Sequence, residues 1–387
     1  MMLKYIIIGA GLMGRVAAKN LLETENNARV TLADIDEATL EEAAELVDHD
    51  RLTICPMDIA NTDVSATVLS EHDVSICALP HRWSLPCIKA AIRAKVSCVD
   101  LVGEAPEKRQ ALNQQAVEAS ITIIPGLGVA PGLSNICVSR GIELLDETTE
   151  AVIYVGGIPK EKTPPMNYQT VYCLESVFEA CLRPAVIFQD GQEIEVDALS
   201  GLEMINFPEP IGKLEAYYTD GLASLTLTMK NKITNHLSEK TLRYPGFTDH
   251  MKFFIDCGFL DKNSISIGTA EVVPMEFLVH LLTPRLKLGP KGDLLVMRIV
   301  VKGLKKGAEK THIFELIDQY DPVSKYTAMA RTTGFPAVIA AKMIANESIV
   351  EKGVLFPEQI YTGQRYELLV KSLAEQGIII SHTENRT

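Results

Sequence analysis

The chain has 387 residues and a formal charge of −13, and nearly half of it is hydrophobic. That length allows two domains of ordinary size, and the negative balance without any basic stripe argues against a nucleic-acid partner. Eight cysteines fall singly, with no CxxC pair and no HExxH, so no metal site is expected and the thiols read as reduced ones in a cytoplasmic protein.

Lys4 to Ile8 reads as a buried strand that runs into a glycine turn, with no signal peptide ahead of it. Arg15 to Leu22 reads as a helix, and "ARVTLADID" as a second strand ending at Asp34. Strands and helices then alternate through "RLTICPMDIA", "VLSEHDVSICALP" and "SCVDLV" to "ITIIPG". The strands are apolar on both faces, which predicts a parallel sheet covered by helices on both sides. After "PGLGVAPGLSN" the pattern changes to longer alternating strands, including "DLLVMRIVVKG" facing "KTHIFELIDQY" as an antiparallel pair. A helical tract, "SKYTAMARTTGFPAVIAAKMIANESIV", is expected to break near Gly334 and Pro336. The expected class is α/β, a Rossmann-type parallel sheet followed by an α+β domain with a mixed or antiparallel sheet. The expected divisions are residues 1–125, 126–322 and 323–387, the last returning to the first domain. No apolar run is long enough to span a bilayer, so no membrane partner is expected.

Gly9, Gly11 and Gly14 form G-x-G-x-x-G between a strand and a helix. Gly9 permits the tight turn, Gly11 lets a pyrophosphate approach the backbone, and Gly14 lets helix and strand pack closely. Leu12 and Met13 of the motif are expected to contact the cofactor, and the N-terminus of the following helix presents unpaired N–H groups to that anion. Asp34 stands about twenty residues on, where a carboxylate accepts the hydroxyls of an adenosine ribose, with Ile35 beside it. A 2′-phosphate would meet that carboxylate with no nearby cation to offset it, so the expected cofactor is NAD rather than NADP. Ala78, Leu79 and Pro80 follow the fourth strand at the sheet's carboxyl edge and are expected to line the cofactor. Asp58 either approaches the adenine side or holds a turn, and Gly128 and Val129 either present backbone to the nicotinamide or form a hinge.

A nicotinamide cofactor implies hydride transfer, with the protein supplying orientation and electrostatics. Asp100 and Glu104, after the fifth strand, are candidate bases, and each also has a plain structural reading as a loop or helix-start residue. In "KTLRYPGF", Arg243 can grip a carboxylate with two parallel hydrogen bonds, with Lys240 and Tyr244 beside it as further substrate-binding candidates. His81 is a weaker candidate for proton relay, and Trp83 reads as packing.

Together, "GAGLMG", "VTLADID", "TIIPGLGVAPGLSNI", "YVGGIP", "LRYPG" and "AMARTT" resemble the saccharopine dehydrogenase-like superfamily, and within it the L-lysine 6-dehydrogenase group. The resemblance implies NAD-dependent oxidation of the ε-amine of L-lysine to allysine, which cyclises to Δ1-piperideine-6-carboxylate. It also implies a homo-oligomer, a dimer or larger, with the second domain forming much of the contact. Secondary-amine oxidation of the saccharopine or carboxynorspermidine type is the alternative, with additional cations expected near Arg243. A non-catalytic NAD-binding sensor is the reading from another class.

Overall fold

The computed structural model describes residues 2–386. The chain forms two compact units. Among the described residues the first comprises 2–144, 223–231 and 330–380; the second comprises 145–222, 232–329 and 381–386. By packing, the first unit runs past the expected division at residue 125 to Leu144, because the helix Leu133–Leu144 stays with it.

Strands β1 (Leu3–Ile8), β2 (Ala28–Asp34), β3 (Leu52–Pro56), β4 (Val74–Cys77), β5 (Ser97–Asp100) and β6 (Thr122–Pro125) belong to the first unit. The second holds β7 (Glu147–Pro159), β8 (Ala185–Gln189), β9 (Gln192–Val196), β10 (Glu203–Asn206), β11 (Lys213–Tyr218) and β12 (Ile233–Arg243). It continues with β13 (Ile265–Ile267), β14 (Ala270–Val272), β15 (Asp293–Lys305) and β16 (Ala308–Gln319). Near the end of the chain come β17 (Gly353–Val354) and β18 (Ile380–Arg386).

The first unit is a parallel sheet in the order β17-β6-β5-β4-β1-β2-β3. Its central strands are buried throughout, as their unbroken apolar runs require of a sheet covered on both faces. The order reverses beside β1, which places the glycine turn at the switch point where such sheets bind ligands.

The second unit is a mixed sheet with the path β10-β11-β12-β7-β15-β16-β18. The expected antiparallel pair is present, with β15 and β16 in continuous register from Leu294 opposite Gln319 to Lys305 opposite Ala308. β7 lies between β12, to which it is parallel, and β15, to which it is antiparallel. Its paired glycines have distinct steric reasons: a side chain on Gly156 would meet the Leu242 carbonyl, and one on Gly157 would meet Val171 and Met329.

The expected helix break near Gly334 and Pro336 does not occur; one helix runs from Ala328 to Ala345 with Pro336 inside it. Its residues from Phe335 to Ala341 are buried, and at Gly334 a Cβ would already touch Met13 and Ala17 of the helix Leu12–Thr24. Packing on both sides of the proline holds the helix through the lost backbone bond. Residues 223–231 are tied to the first unit through Thr228, whose hydroxyl donates to buried Glu358 at 2.6 Å, and through Asn135, which donates to Ser224 at 3.2 Å. All eight cysteines are free, and Cys173 and Cys257 are exposed. No helix among the described residues is long and apolar enough to cross a membrane.

Candidate active site

In the first unit, the three glycines of the opening motif differ in what surrounds them. Gly9 has φ +107°, and a Cβ there would lie 2.5 Å from the Ala78 carbonyl oxygen. A Cβ on Gly14 would lie 1.7 Å from the Gly9 carbonyl oxygen, so helix and turn are packed backbone to backbone. Gly11 is the opposite case, with nothing within 4 Å of an added Cβ. It is also the N-cap of the helix Leu12–Thr24 and supplies no side-chain cap, so the first N–H groups of that helix keep their capacity for an anion. Closed packing below and open space above is the shape that a dinucleotide pyrophosphate requires.

Asp34 is turned onto this loop. One carboxylate oxygen accepts from the Ala10 N–H at 2.7 Å and the other from the Asp36 N–H at 3.1 Å. Ile35 is exposed beside it. Ala78 packs against Gly9 and its N–H donates to Ile8, Leu79 is half-buried, and Pro80 caps the helix His81–Ala94. Asp58 holds its own turn, accepting from the Ala60 N–H at 2.9 Å. The Gly128 N–H donates to the Pro131 carbonyl, and a Cβ on Gly132 would lie 2.1 Å from the Gly128 oxygen. Gly128 and buried Val129 thus form a tight turn that leads into the helix Leu133–Leu144.

Asp100 is withdrawn into the core of the first unit. Ser84 Oγ donates to it at 2.5 Å, the Val102 N–H donates at 3.1 Å, and Arg109 Nε lies 3.5 Å away, close enough for an ion pair but without a hydrogen bond from that nitrogen. Arg109 Nη2 completes the cluster by donating to Ser84 at 2.6 Å. Desolvation pushes the Asp100 carboxyl up, and Arg109 and Ser84 pull it back. Paired with Arg109 and hydrogen-bonded by Ser84, this carboxylate is a structural ion-pair partner rather than a base aimed at substrate. Glu104 is partly exposed and 4.0 Å from His81. Trp83 packs at the edge of the apolar core.

In the second unit, β12 carries two separate charge systems. Lys240 points to one face, where its ammonium donates to Glu203 and to the Gly201 carbonyl, both at 2.6 Å, and lies over the Tyr218 ring. Its charge is spent there. Arg243, on the other face, is buried, lies over Tyr168 and Phe247 at 5.3 and 5.5 Å, and donates from Nη1 to the Leu242 carbonyl. Its Nε has no partner, and among the described residues no carboxylate lies within ion-pair distance of it. The buried Tyr168 hydroxyl beside it is likewise unpaired. A buried guanidinium that cannot lose its proton and has no counterion is a demand for an anion. Tyr244 instead enters an apolar cluster with Leu242 and Leu294, with Lys162 over its ring.

The strand also places a group that the sequence reading missed. Glu239 shares the face of Arg243, is 3 % exposed, and accepts from the Thr219 hydroxyl at 2.6 Å. Every second residue of "EKTLR" gives Glu, Thr and Arg, a signal that becomes visible once the segment is known to be a strand.

The sheet order and glycine cradle define the first unit as a Rossmann-type dinucleotide-binding domain. Residues 5–124 match the Saccharopine dehydrogenase NADP binding domain and residues 128–378 match the Saccharopine dehydrogenase C-terminal domain, so the chain belongs to the saccharopine dehydrogenase family. The chain is 22 % identical over 446 residues to saccharopine dehydrogenase [NADP(+), L-glutamate-forming] of Saccharomyces cerevisiae, covering 96 % of each protein. It is 21 % identical over 450 residues to the mitochondrial α-aminoadipic semialdehyde synthase of Mus musculus, covering 98 % of this chain and 47 % of that protein. The solved apo structure of the yeast saccharopine dehydrogenase (L-Glu forming) superposes with a TM-score of 0.81 at 19 % identity over 99 % of each chain, which shows a shared fold.

These matches correct the expectation of NAD: the cofactor domain is an NADP-binding one. Asp34 does not stand free toward a 2′-phosphate, because both its oxygens accept from backbone N–H donors. Arg15, one turn into the helix, also brings a cation toward the following helix, where it holds the exposed Glu42 at 3.1 Å. An exposed pair of that kind is weak and exchanges readily for another anion.

Proposed function

We propose that this protein is an NADP-dependent dehydrogenase that oxidises the secondary amine of saccharopine or a close analogue, releasing L-glutamate and an α-aminoadipic semialdehyde. Arg243 carries this reading: a buried cation with an unpaired Nε, walled by Tyr168 and Phe247, is built to receive a substrate carboxylate. Saccharopine has more than one carboxylate to be held, and Arg183 lies with Arg243 within electrostatic reach of the Tyr172 hydroxyl. The relatives named above support the same chemistry.

Gly9, Gly11, Leu12, Met13 and Gly14 would hold the pyrophosphate of the cofactor, with Ile35, Ala78, Leu79 and Pro80 near its adenosine and ribose. Bound NADP+ supplies an acceptor for the hydride leaving the carbon next to nitrogen. Arg243 fixes one end of the substrate, which converts a search in solution into a held geometry.

The test is reduction of NADP+ or NAD+, followed by absorbance, with saccharopine, L-lysine, L-ornithine and simple diamines. Reduction of NADP+ by saccharopine is expected. Reduction by L-lysine without saccharopine would move the assignment to ε-deamination of L-lysine, and no reduction with any amine would overturn the enzymatic reading.

A further inference from the structure

We propose that Glu239 takes the proton from the substrate's amine nitrogen, as the catalytic base on the face that Arg243 anchors. This rests on the dehydrogenase reading above and adds to it the residue that prepares the amine for oxidation.

Side chains two apart share a face, so Glu239, Thr241 and Arg243 stand in one row of β12. Tyr217 of β11 is directly opposite Thr241 and continues the row sideways. Glu239 and Arg243 are therefore about 13 Å apart at their Cα atoms. An amine two bonds from its own anchored carboxylate does not bridge such a row. An amine at the far end of a lysine-length chain, about 7 Å from the carboxylate when extended, does so once both side chains reach inward.

The carboxyl is also built to remain where it is. Thr219 Oγ1 donates to Oε2 at 2.6 Å and itself contacts Thr241 Oγ1 at 2.7 Å, while Thr241 approaches Oε1 at 3.5 Å. A Cβ on Gly221 would lie 2.5 Å from the carboxyl carbon, so only glycine leaves the room that Glu239 occupies. Among the described residues no cation pairs with Glu239. A buried acid held by hydroxyls alone is costly for stability, and such groups concentrate at functional sites. Desolvation pushes it up to about 8; Thr219 and the charge of Arg243 pull downward, Asp220 pushes upward, and Thr241 pulls downward. A base near the working pH combines availability with proton-accepting strength.

An N–H bond of the substrate ammonium breaks, its electron pair stays on nitrogen, and the proton goes to Glu239. The freed pair forms C=N as the adjacent C–H bond breaks, and that bond's two electrons leave as hydride to NADP+, which is reduced. Water then adds to the imine and splits it into aldehyde and primary amine, and the proton on Glu239 returns to solvent.

The experiment compares wild type, Glu239→Gln and Glu239→Asp in the full chain, with NADP+ and the amine that the wild type oxidises. kcat and KM are measured from about pH 6 to about pH 10, beside NADPH binding by fluorescence. The activity of a required carboxylate base rises as pH passes upward through its pKa. Glu239→Gln is expected to lower kcat by about 100-fold or more and to abolish that rising limb, with KM and NADPH affinity within about threefold. Glu239→Asp is expected to keep a rising limb at reduced kcat, and it decides the matter if the glutamine variant does not fold. A kcat within about threefold of wild type, or an unchanged pH profile in either variant, overturns the proposal. Infrared difference spectra over the same range give a readout independent of turnover: a protonated-carboxyl band lost in wild type and absent from Glu239→Gln. The same band in both proteins is also a refutation. A wild type that oxidises no amine defeats the dehydrogenase reading itself, whereas an active wild type with an equally active Glu239→Gln defeats only the role of Glu239.

Discussion

Gly11→Ala separates the cofactor cradle from the fold that carries it. Gly11 has φ −66° and ψ −168°, values open to alanine, and no atom lies within 4 Å of the new methyl. Relief of unfolded-chain entropy, about 0.4–1 kcal/mol, is of the same size as the roughly 0.5–1 kcal/mol lost when alanine replaces glycine as an N-cap. The variant is therefore expected to melt within a few degrees of wild type. The methyl occupies the space through which a pyrophosphate reaches the helix N-terminus. Losing two charge-assisted hydrogen bonds, at about 1.5–3 kcal/mol each, weakens binding by about 100-fold or more. Gly14→Ala is the control, because its Cβ would lie 1.7 Å from the backbone oxygen of Gly9, which has no freedom to yield. That variant should lose stability by several kcal/mol. NADPH fluorescence titration beside thermal unfolding measures both. If Gly11→Ala binds NADPH within about threefold of wild type, the open space above Gly11 is not where the diphosphate lies.

Asp100→Ala leaves the Arg109 guanidinium buried without its counterion, and urea unfolding should show a loss of about 3–5 kcal/mol; a loss under about 1 kcal/mol would show the pair to be dispensable. Arg243→Met removes an unpaired buried cation in favour of an apolar side chain, so KM for the carboxylate substrate should rise by about 100-fold while unfolding stability does not fall. A variant that retains substrate affinity, or one that is destabilised by several kcal/mol, would show that Arg243 serves the core instead.

The first unit was largely legible because its signals are local. Apolar strands, a glycine turn between strand and helix, and the spacing to Asp34 each lie within a few residues of what they specify. The direction of the Asp34 carboxylate was not legible, since it depends on where the N–H groups of Ala10 and Asp36 come to lie after folding. Asp100 misled for a related reason: its position at a strand end fits a catalytic loop, and only the arrival of Arg109 shows the charge to be internal. The membership of residues 223–231 in the first unit rests on Thr228 meeting Glu358, 130 residues away, which no local pattern encodes. Glu239 went unread because "ITNHLSEKTLR" has polar groups on both faces and lacks the apolar alternation by which strands are recognised.

That mixed strand is also where stability and chemistry are kept apart. Lys240 and Glu203 form a close ion pair on one face, with the Tyr154 hydroxyl donating to the same carboxylate at 3.2 Å. At odd spacings from Lys240 along the strand the side chains point the opposite way, and there Glu239 sits between threonines while Arg243, three residues on, has no counterion. Had Lys240 shared that face, its ammonium would neutralise Glu239 and compete with any substrate amine. The pleat prevents this, because a slip of one residue would exchange the two sets completely. Register at β12 is fixed from both sides, by Lys240 opposite Tyr218 and Tyr154, and by Thr241 opposite Tyr217 and Val155. The satisfied pair and the sheet ladder hold the strand in place, so the cost of two ionisable groups without counterions falls on a segment already secured, which is the condition under which a protein can keep them for a ligand.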